Sequence, residues 1–216
     1  MSNPPLPSPS TIADALLAGD SSTVLDAVSR YMIFGGASFL VDALARPVME
    51  KVGERWHAGT SSVADEHAAS ELLRELFSSL LPGLAWHQGG PKAVVTCAPG
   101  EQHLLGARLI SQVLALDGWH VRFLGADTPA KDLALFVARE QPVLLGLSVT
   151  MADHIPAART TLELLHHIAP RVHLVAGGSA AEALMPAEKE AWAVLPSTQE
   201  LLWMTRGGTG GLIAPR

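Results

Sequence analysis

The chain has 216 residues, 48% of them hydrophobic and 17% charged, with a formal net charge of −6 at pH 7; that is the composition of a folded globular chain and excludes a disordered one. A negative balance without any cluster of Lys and Arg excludes a dedicated nucleic-acid binder, whose affinity comes from neutralising phosphates. Cys97 is the single cysteine, which excludes an internal disulfide and suits a reducing, cytoplasmic compartment.

Met1-Ser2-Asn3-Pro4-Pro5 lacks the basic and apolar regions of a signal peptide, and no apolar run is expected to span a bilayer. Residues 1–10 are rich in Pro and Ser and are expected to be disordered. From Thr11 to residue 82 the pattern is helical. Ile12, Leu16 and Leu17 form a short helix that stops at Gly19, and Asp20 or Ser21 caps the next, which runs through Val24, Leu25, Val28 and Tyr31-Met32 to Gly35-Gly36. A third helix spans Ser38 to Trp56, with Leu40, Leu44, Val48 and Val52 on one face and Pro47 expected to kink or end it. After a break at His57-Ala58-Gly59, Ser61-Ser62 caps a fourth helix carrying Val63, Leu72, Leu73, Leu76, Phe77 and Leu80 to Pro82-Gly83. Four helices with short loops predict a small antiparallel bundle.

Gly-rich residues 83–91 are the expected linker. Residues 92–206 then alternate strands at 92–98, 120–124, 143–149, 172–176 and 192–195 with helices at 104–117, 129–140, 155–168 and 181–191. Five strands alternating with helices predict an α/β domain with a parallel sheet covered on both faces. Residues 207–216, with Gly207-Gly208-Thr209-Gly210-Gly211, are an expected flexible tail.

The stretch Cys97-Ala98-Pro99-Gly100-Glu101-Gln102-His103-Leu104-Leu105-Gly106 marks the change from one regime to the other. It lies on a strand-to-helix turn, at the carboxyl edge of the sheet, where open α/β sheets bind ligands. His103 is placed to bind a metal, with Glu101 able to orient its ring, and Gly106 lets a bulky group approach. Ser148-Val149-Thr150 and Gly177-Gly178 end later strands at the same edge. Any one of these is ordinary; their shared edge is informative.

Glu101-Gln102-His103-Leu104-Leu105-Gly106 resembles the D/E-x-H-x-x-G motif of cobalamin-binding domains, Ser148-Val149-Thr150 resembles their S-x-T/L motif, and Gly177-Gly178 their glycine pair. The resemblance covers Thr11 to about Leu195. It implies a four-helix bundle cap followed by a flavodoxin- or Rossmann-like five-stranded parallel sheet. It further implies that His103 is the lower ligand of cobalt in place of the cofactor's dimethylbenzimidazole, with Glu101 as its partner. The nucleotide tail would be buried against Ser148, Thr150, Gly177 and Gly178. Methyl-transferring members usually carry Asp where this chain has Glu101.

A second constellation lies in the bundle: Trp56-His57 and Glu66-His67. A short loop joins their helices, so the four side chains are expected to be neighbours, although a core Trp56 and a helix-start Glu66 favoured by the dipole would be the plainer reading. The W-x9-E-H spacing is similar to the cap signature of the light-responsive, adenosylcobalamin-dependent repressors, the CarH-like proteins of the MerR family. Leu124-Gly125-Ala126-Asp127-Thr128-Pro129 also resembles a loop of that group. The resemblance implies that Trp56 packs against the 5′-deoxyadenosyl group and that Glu66 and His67 help hold it. It also implies that His57 becomes the upper cobalt ligand after light has cleaved the Co–C bond. An indole beside an adenine gains stacking energy, and imidazole is a good transition-metal ligand.

CarH-like repressors begin with a helix-turn-helix domain, whereas here the bundle starts near residue 11. The chain is therefore expected to be either an excised domain or a protein that signals through another protein, a transcription regulator. The leading expectation is a non-enzymatic adenosylcobalamin light sensor, a homo-oligomer in the dark. The runner-up is a corrinoid carrier of methyl groups for methyltransferases, and a flavodoxin-like module for another nucleotide is third. Cys97 is expected to be an inert buried thiol, His154 a loop residue, His166-His167 a surface pair, and Trp119, Trp192 and Trp203 packing residues.

Overall fold

A computed structural model describes residues 5–80, 89–186 and 191–207. The chain divides into two units, residues 1–81 and 82–216.

In the first unit, α1 (Pro9–Leu17) starts where the Ser8 hydroxyl accepts from the Thr11 amide and Pro9 takes the first helical position, a position that needs no N–H. Residues 5–8 are not loose as expected. Tyr31 donates its hydroxyl proton to the Pro7 carbonyl over 2.9 Å and Arg30 donates to Pro5 over 2.5 Å. The helix α2 (Ser21–Leu40) is capped by the Asp20 carboxylate and broken at Gly36, whose φ of 74° and ψ of −173° are not helical; this is the boundary expected between the second and third helices. A wider π-type turn at Val41–Ala45 then precedes α3 (Arg46–His57). Pro47 cannot donate to the turn before it and would crowd a regular one, so the widened turn is the kink its position demanded. The last helix, α4 (Val63–Leu80), opens with a reciprocal cap. The Ser62 hydroxyl accepts from the Asp65 amide, and the Asp65 carboxylate accepts from the Ser62 amide and hydroxyl. The expected end of this helix at Pro82-Gly83 and most of the expected linker fall outside the described residues.

Taken across the interruptions at Gly36 and at the widened turn, the 37 residues Ser21–His57 are, by length and composition alone, long and apolar enough to cross a membrane, which was not expected from the sequence. Those breaks explain why no single run was expected. Val24, Val28, Leu40, Leu44, Val48 and Val52 on it are fully buried, as are Ile12, Leu73 and Phe77 on the other helices. That stripe at helical spacing makes the run the core helix of the unit.

The second unit is a parallel sheet of β1 (Lys92–Cys97), β2 (His120–Gly125), β3 (Leu144–Ser148), β4 (His173–Gly177) and β5 (Ala193–Val194), in the order β2-β1-β3-β4-β5. Between the strands run α5 (Leu105–Leu116), α6 (Ala130–Glu140) and α7 (Ile155–Ile168), and α8 (Thr198–Thr205) closes the unit. Leu133, Val137, Leu162 and Leu165 of α6 and α7 share one core with Val94, Leu145, Leu147, Leu174 and Ala176. On the central strands β1 and β3 most intervening residues are buried too, so both faces are covered there. The strand order reverses between β1 and β3, the switch point at which a ligand crevice forms beyond the carboxyl ends.

Two elements depart from expectation. The helix predicted at 181–191 is only a single 3₁₀ turn, Ala181–Leu184. Pro186 forces Met185 to an extended ψ of 124° and ends it, while residues 187–190 lie outside the described ones. Conversely, α8 was not anticipated, although Ser197, whose hydroxyl accepts from the Glu200 amide, supplies its cap. Trp203 on that helix is exposed, not packed; Trp119 and Trp192 are buried as expected.

Candidate functional site

The carboxyl edge of the sheet is level across its three central strands. Cys97 pairs with Ser148 between β1 and β3, and Ser148 with Gly177 between β3 and β4. The three sequence-predicted segments, around His103, Ser148-Thr150 and Gly177-Gly178, therefore leave the sheet side by side.

Between them sits Glu101, fully buried. One oxygen, Oε2, accepts from the amides of Thr150 (2.8 Å) and Met151 (2.9 Å); the other, Oε1, accepts from the His103 amide (2.9 Å) and lies 2.6 Å from His103 Nδ1. Burial works against its ionisation, but the amides of His103, Met151 and Thr150 and the His103 ring outweigh it. The carboxyl is held below the ordinary glutamate range. An ionised carboxylate only accepts, so Nδ1 of His103 carries the proton and the Nε2 lone pair is left free. The His103 side chain is 51% exposed. A buried anion thus fixes the tautomer of an imidazole whose other nitrogen faces outward, the arrangement a metal-binding histidine needs.

Among the described residues no group of three or more His, Cys, Asp or Glu could hold a metal. A single imidazole nitrogen left free for a metal suits one that is already held in a macrocycle. The backbone around it leaves space: a β-carbon on Gly106 or Gly177 would meet nothing within 4 Å. Gly178 is different, since its φ is 102° and a β-carbon would lie 2.2 Å from the Val149 carbonyl oxygen. It is glycine because β3 and β4 end so close together. Burial, then the nearby Glu101 charge, push the Cys97 thiol up to about 12, which keeps it inert. These residues fit a corrinoid.

A family model described as a B12 binding domain matches residues 91–198, and a second one with the same description matches residues 10–81. The chain belongs to the B12-binding family. The cofactor that this membership indicates is a cobalamin. Among its relatives are the HTH-type transcriptional repressors CarH and CarA of Myxococcus xanthus. CarH is 36% identical over 66% of this chain and 48% of its own length; CarA is 31% identical over 76% and 52%. The chain spans about half the length of these relatives. The solved structure of the Methanosarcina barkeri monomethylamine corrinoid protein superposes with a TM-score of 0.71 at 19% identity, over 88% of this chain and 92% of that one. At that identity the likeness speaks for the fold.

In the helical unit of this B12-binding chain, Trp56 is 40% exposed, not a core residue. Its ring meets His57 edge-on at 4.6 Å between centroids, and His57 Nδ1 lies 2.8 Å from the Gly53 carbonyl oxygen. The carbonyl only accepts, so Nδ1 donates its proton to it and Nε2 is not engaged by that contact. Glu66 accepts from the Ser70 hydroxyl over 2.6 Å and approaches His67 Nε2 at 3.5 Å. The four residues expected as one group are thus joined in pairs. No hydrogen bond, ion pair or ring contact links Trp56-His57 to Glu66-His67 among the described residues.

Two further residues act at the sheet-edge site: Asp127, in the loop picked out in the sequence only by its resemblance, and His154. Asp127, at φ 47°, accepts from the Gly100 amide over 2.6 Å and donates its own amide to the Glu101 carbonyl over 3.0 Å. His154, expected to be only a loop residue, backs the same turn: a β-carbon on Gly100 would lie 2.8 Å from its Nδ1. The Gly-x-Asp-x-Pro spacing of Gly125, Asp127 and Pro129 was the available signal for the first.

Proposed function

We propose that this chain is an adenosylcobalamin-binding light sensor, not an enzyme, which changes conformation and assembly on photolysis of the Co–C bond. It regulates transcription indirectly, in the cytoplasm, through a protein partner. The observation that carries this is Trp56, a large aromatic left substantially exposed at the end of α3 with an imidazole against its ring. Such a surface favours a flat, bulky upper ligand over a methyl group. Bound cobalamin would supply the light-cleavable cobalt–carbon bond. With the cofactor bound, His103 would be the cobalt ligand through Nε2, its ring fixed by Glu101; Gly106 would leave room for the corrinoid, and Ser148, Thr150, Gly177 and Gly178 would lie against the nucleotide tail. Trp56 would offer its aromatic face to the adenosyl group, which Glu66 and His67 would help to hold. His57 would supply an imidazole able to ligate the metal in the absence of that group. Losing the adenosyl contact biases the helical unit between two arrangements, as a switch requires.

The similarity to CarH and CarA supports this reading. It covers about half of each repressor, so their DNA binding is not carried over. The methyl-carrier alternative shares the sheet and His103 but gives Trp56 no task. The test is to load the chain with adenosylcobalamin in the dark, illuminate it, and record absorption and molar mass before and after. Both should change, with a dark homo-oligomer losing mass. Preference for methylcobalamin with no light-linked change in mass would sink the sensor and favour the carrier.

A further inference from the structure

The turn that carries Glu101 and His103 is held from outside by a residue that is itself in a strained conformation. In β2 the pairing with β1 skips a residue: Val95 faces Phe123, but Thr96 faces Gly125. A bulge of this kind re-aims the strand end. Here it is pinned by the Thr96 hydroxyl, 3.2 Å from the Gly125 carbonyl oxygen and 2.6 Å from the Thr128 hydroxyl. Gly125 at φ 92° and Asp127 at φ 47° then turn the chain back across the end of β1. The two Asp127 hydrogen bonds grip consecutive residues of the turn, the Gly100 amide and the Glu101 carbonyl, while His154 closes off the far side of Gly100. An aspartate in the left-handed region tolerates that backbone better than most residues, yet it is still costly. Such local cost persists where the surroundings demand it.

We infer that Asp127 is the positioning residue for His103. Its side-chain oxygen fixes the pitch of Gly100-Glu101 so that the Glu101 carboxylate meets both the His103 ring and the Thr150-Met151 amides. This rests on the reading of His103 as the cobalt ligand. Backbone tolerance and side-chain acceptance can be separated. Asp127→Gly adopts the left-handed backbone freely but accepts nothing, whereas Asp127→Asn adopts it and keeps an acceptor oxygen.

The test uses protein labelled with ¹⁵N-histidine and loaded with cob(II)alamin. In its electron paramagnetic resonance spectrum a ¹⁵N imidazole on cobalt splits lines into doublets and the cofactor's own ¹⁴N benzimidazole splits them into triplets. Wild type and Asp127→Asn should give doublets. In Asp127→Gly the ratio of histidine-bound to histidine-free cobalt should fall about three- to tenfold, the worth of one hydrogen bond. The apo protein gives a second readout by ¹⁵N NMR, at a pH about two units above the ordinary histidine pKa. His103 should be the Nδ1–H tautomer in wild type and Asp127→Asn, and mixed in Asp127→Gly. If the Gly variant keeps the wild-type ratio and tautomer, or if Asn loses as much as Gly, the role assigned to Asp127 is wrong while His103 stands. If wild type itself gives triplets, the His103 reading fails and takes Asp127 with it.

Discussion

Gly178 and Val149 are in backbone contact so close that a β-carbon on Gly178 would lie 2.2 Å from the Val149 carbonyl oxygen. The same Val149 oxygen accepts from the Ala180 amide, and the Val149 amide donates to Gly177, so neither strand end can retreat. Gly178→Ala should therefore destabilise the protein by about 2–4 kcal/mol, combining the left-handed penalty with overpacking, as read by urea unfolding. Gly177→Ala meets open space and should leave the unfolding midpoint nearly unchanged while weakening cobalamin binding. Equal loss of stability in both variants would contradict this division of labour.

Glu101 links pH to stability. Its carboxyl is held below the ordinary range in the fold despite burial, so it binds a proton less readily folded than unfolded. Its contribution is complete above the unfolded value, about 4.3, and is lost as pH falls through the lower folded one. Glu101→Gln puts an amide donor against donors that the carboxylate satisfied, at a cost of about 1–3 kcal/mol at neutral pH. The gap between wild type and variant should start to narrow below about pH 4 and close as pH falls through the lower folded value. A constant gap across that window would show that the carboxylate's charge is not what matters.

The sequence made the sheet edge readable because its ingredients are local: an apolar β-branched run before Pro99, helical spacing after Leu104, and hydroxyls or glycines at strand ends. It also exposed the Gly36 and Pro47 interruptions, since both residues act on their own backbone. What stayed hidden depends on groups distant in the chain. The Gly125, Asp127 and Pro129 spacing marks a turn but not that Asp127 reaches Gly100, because the β2 bulge that aims it is a property of pairing with β1. The short α8 hid behind Ala193-Val194 because a helix of eight residues has too few turns to display a period. The helix expected from residue 181 stops after one turn because Pro186 holds Met185 out of the helical region, whatever the apolar spacing around it.

His103 is half exposed and among the described residues its ring bonds to Glu101 alone, so His103→Ala should fold with little change in stability. Loaded with cobalamin, it should bind more weakly and lose every spectral sign of imidazole on cobalt. An unaltered absorption spectrum in the variant would remove His103 from the metal.

Trp56 separates the sensor from the carrier. Because the indole is substantially exposed, Trp56→Ala costs little packing, and the corrin's anchorage at the sheet edge should survive, so overall cobalamin affinity should stay within a few-fold. The preference for adenosylcobalamin over methylcobalamin should shrink by about threefold to tenfold, the worth of one aromatic stacking contact. Competition between the two cofactors in the dark, read by absorption of the bound fraction, measures that ratio. Phe at the same position keeps a flat face and should retain most of the preference. If Trp56→Ala discriminates as well as wild type, the aromatic surface of α3 does not read the upper ligand.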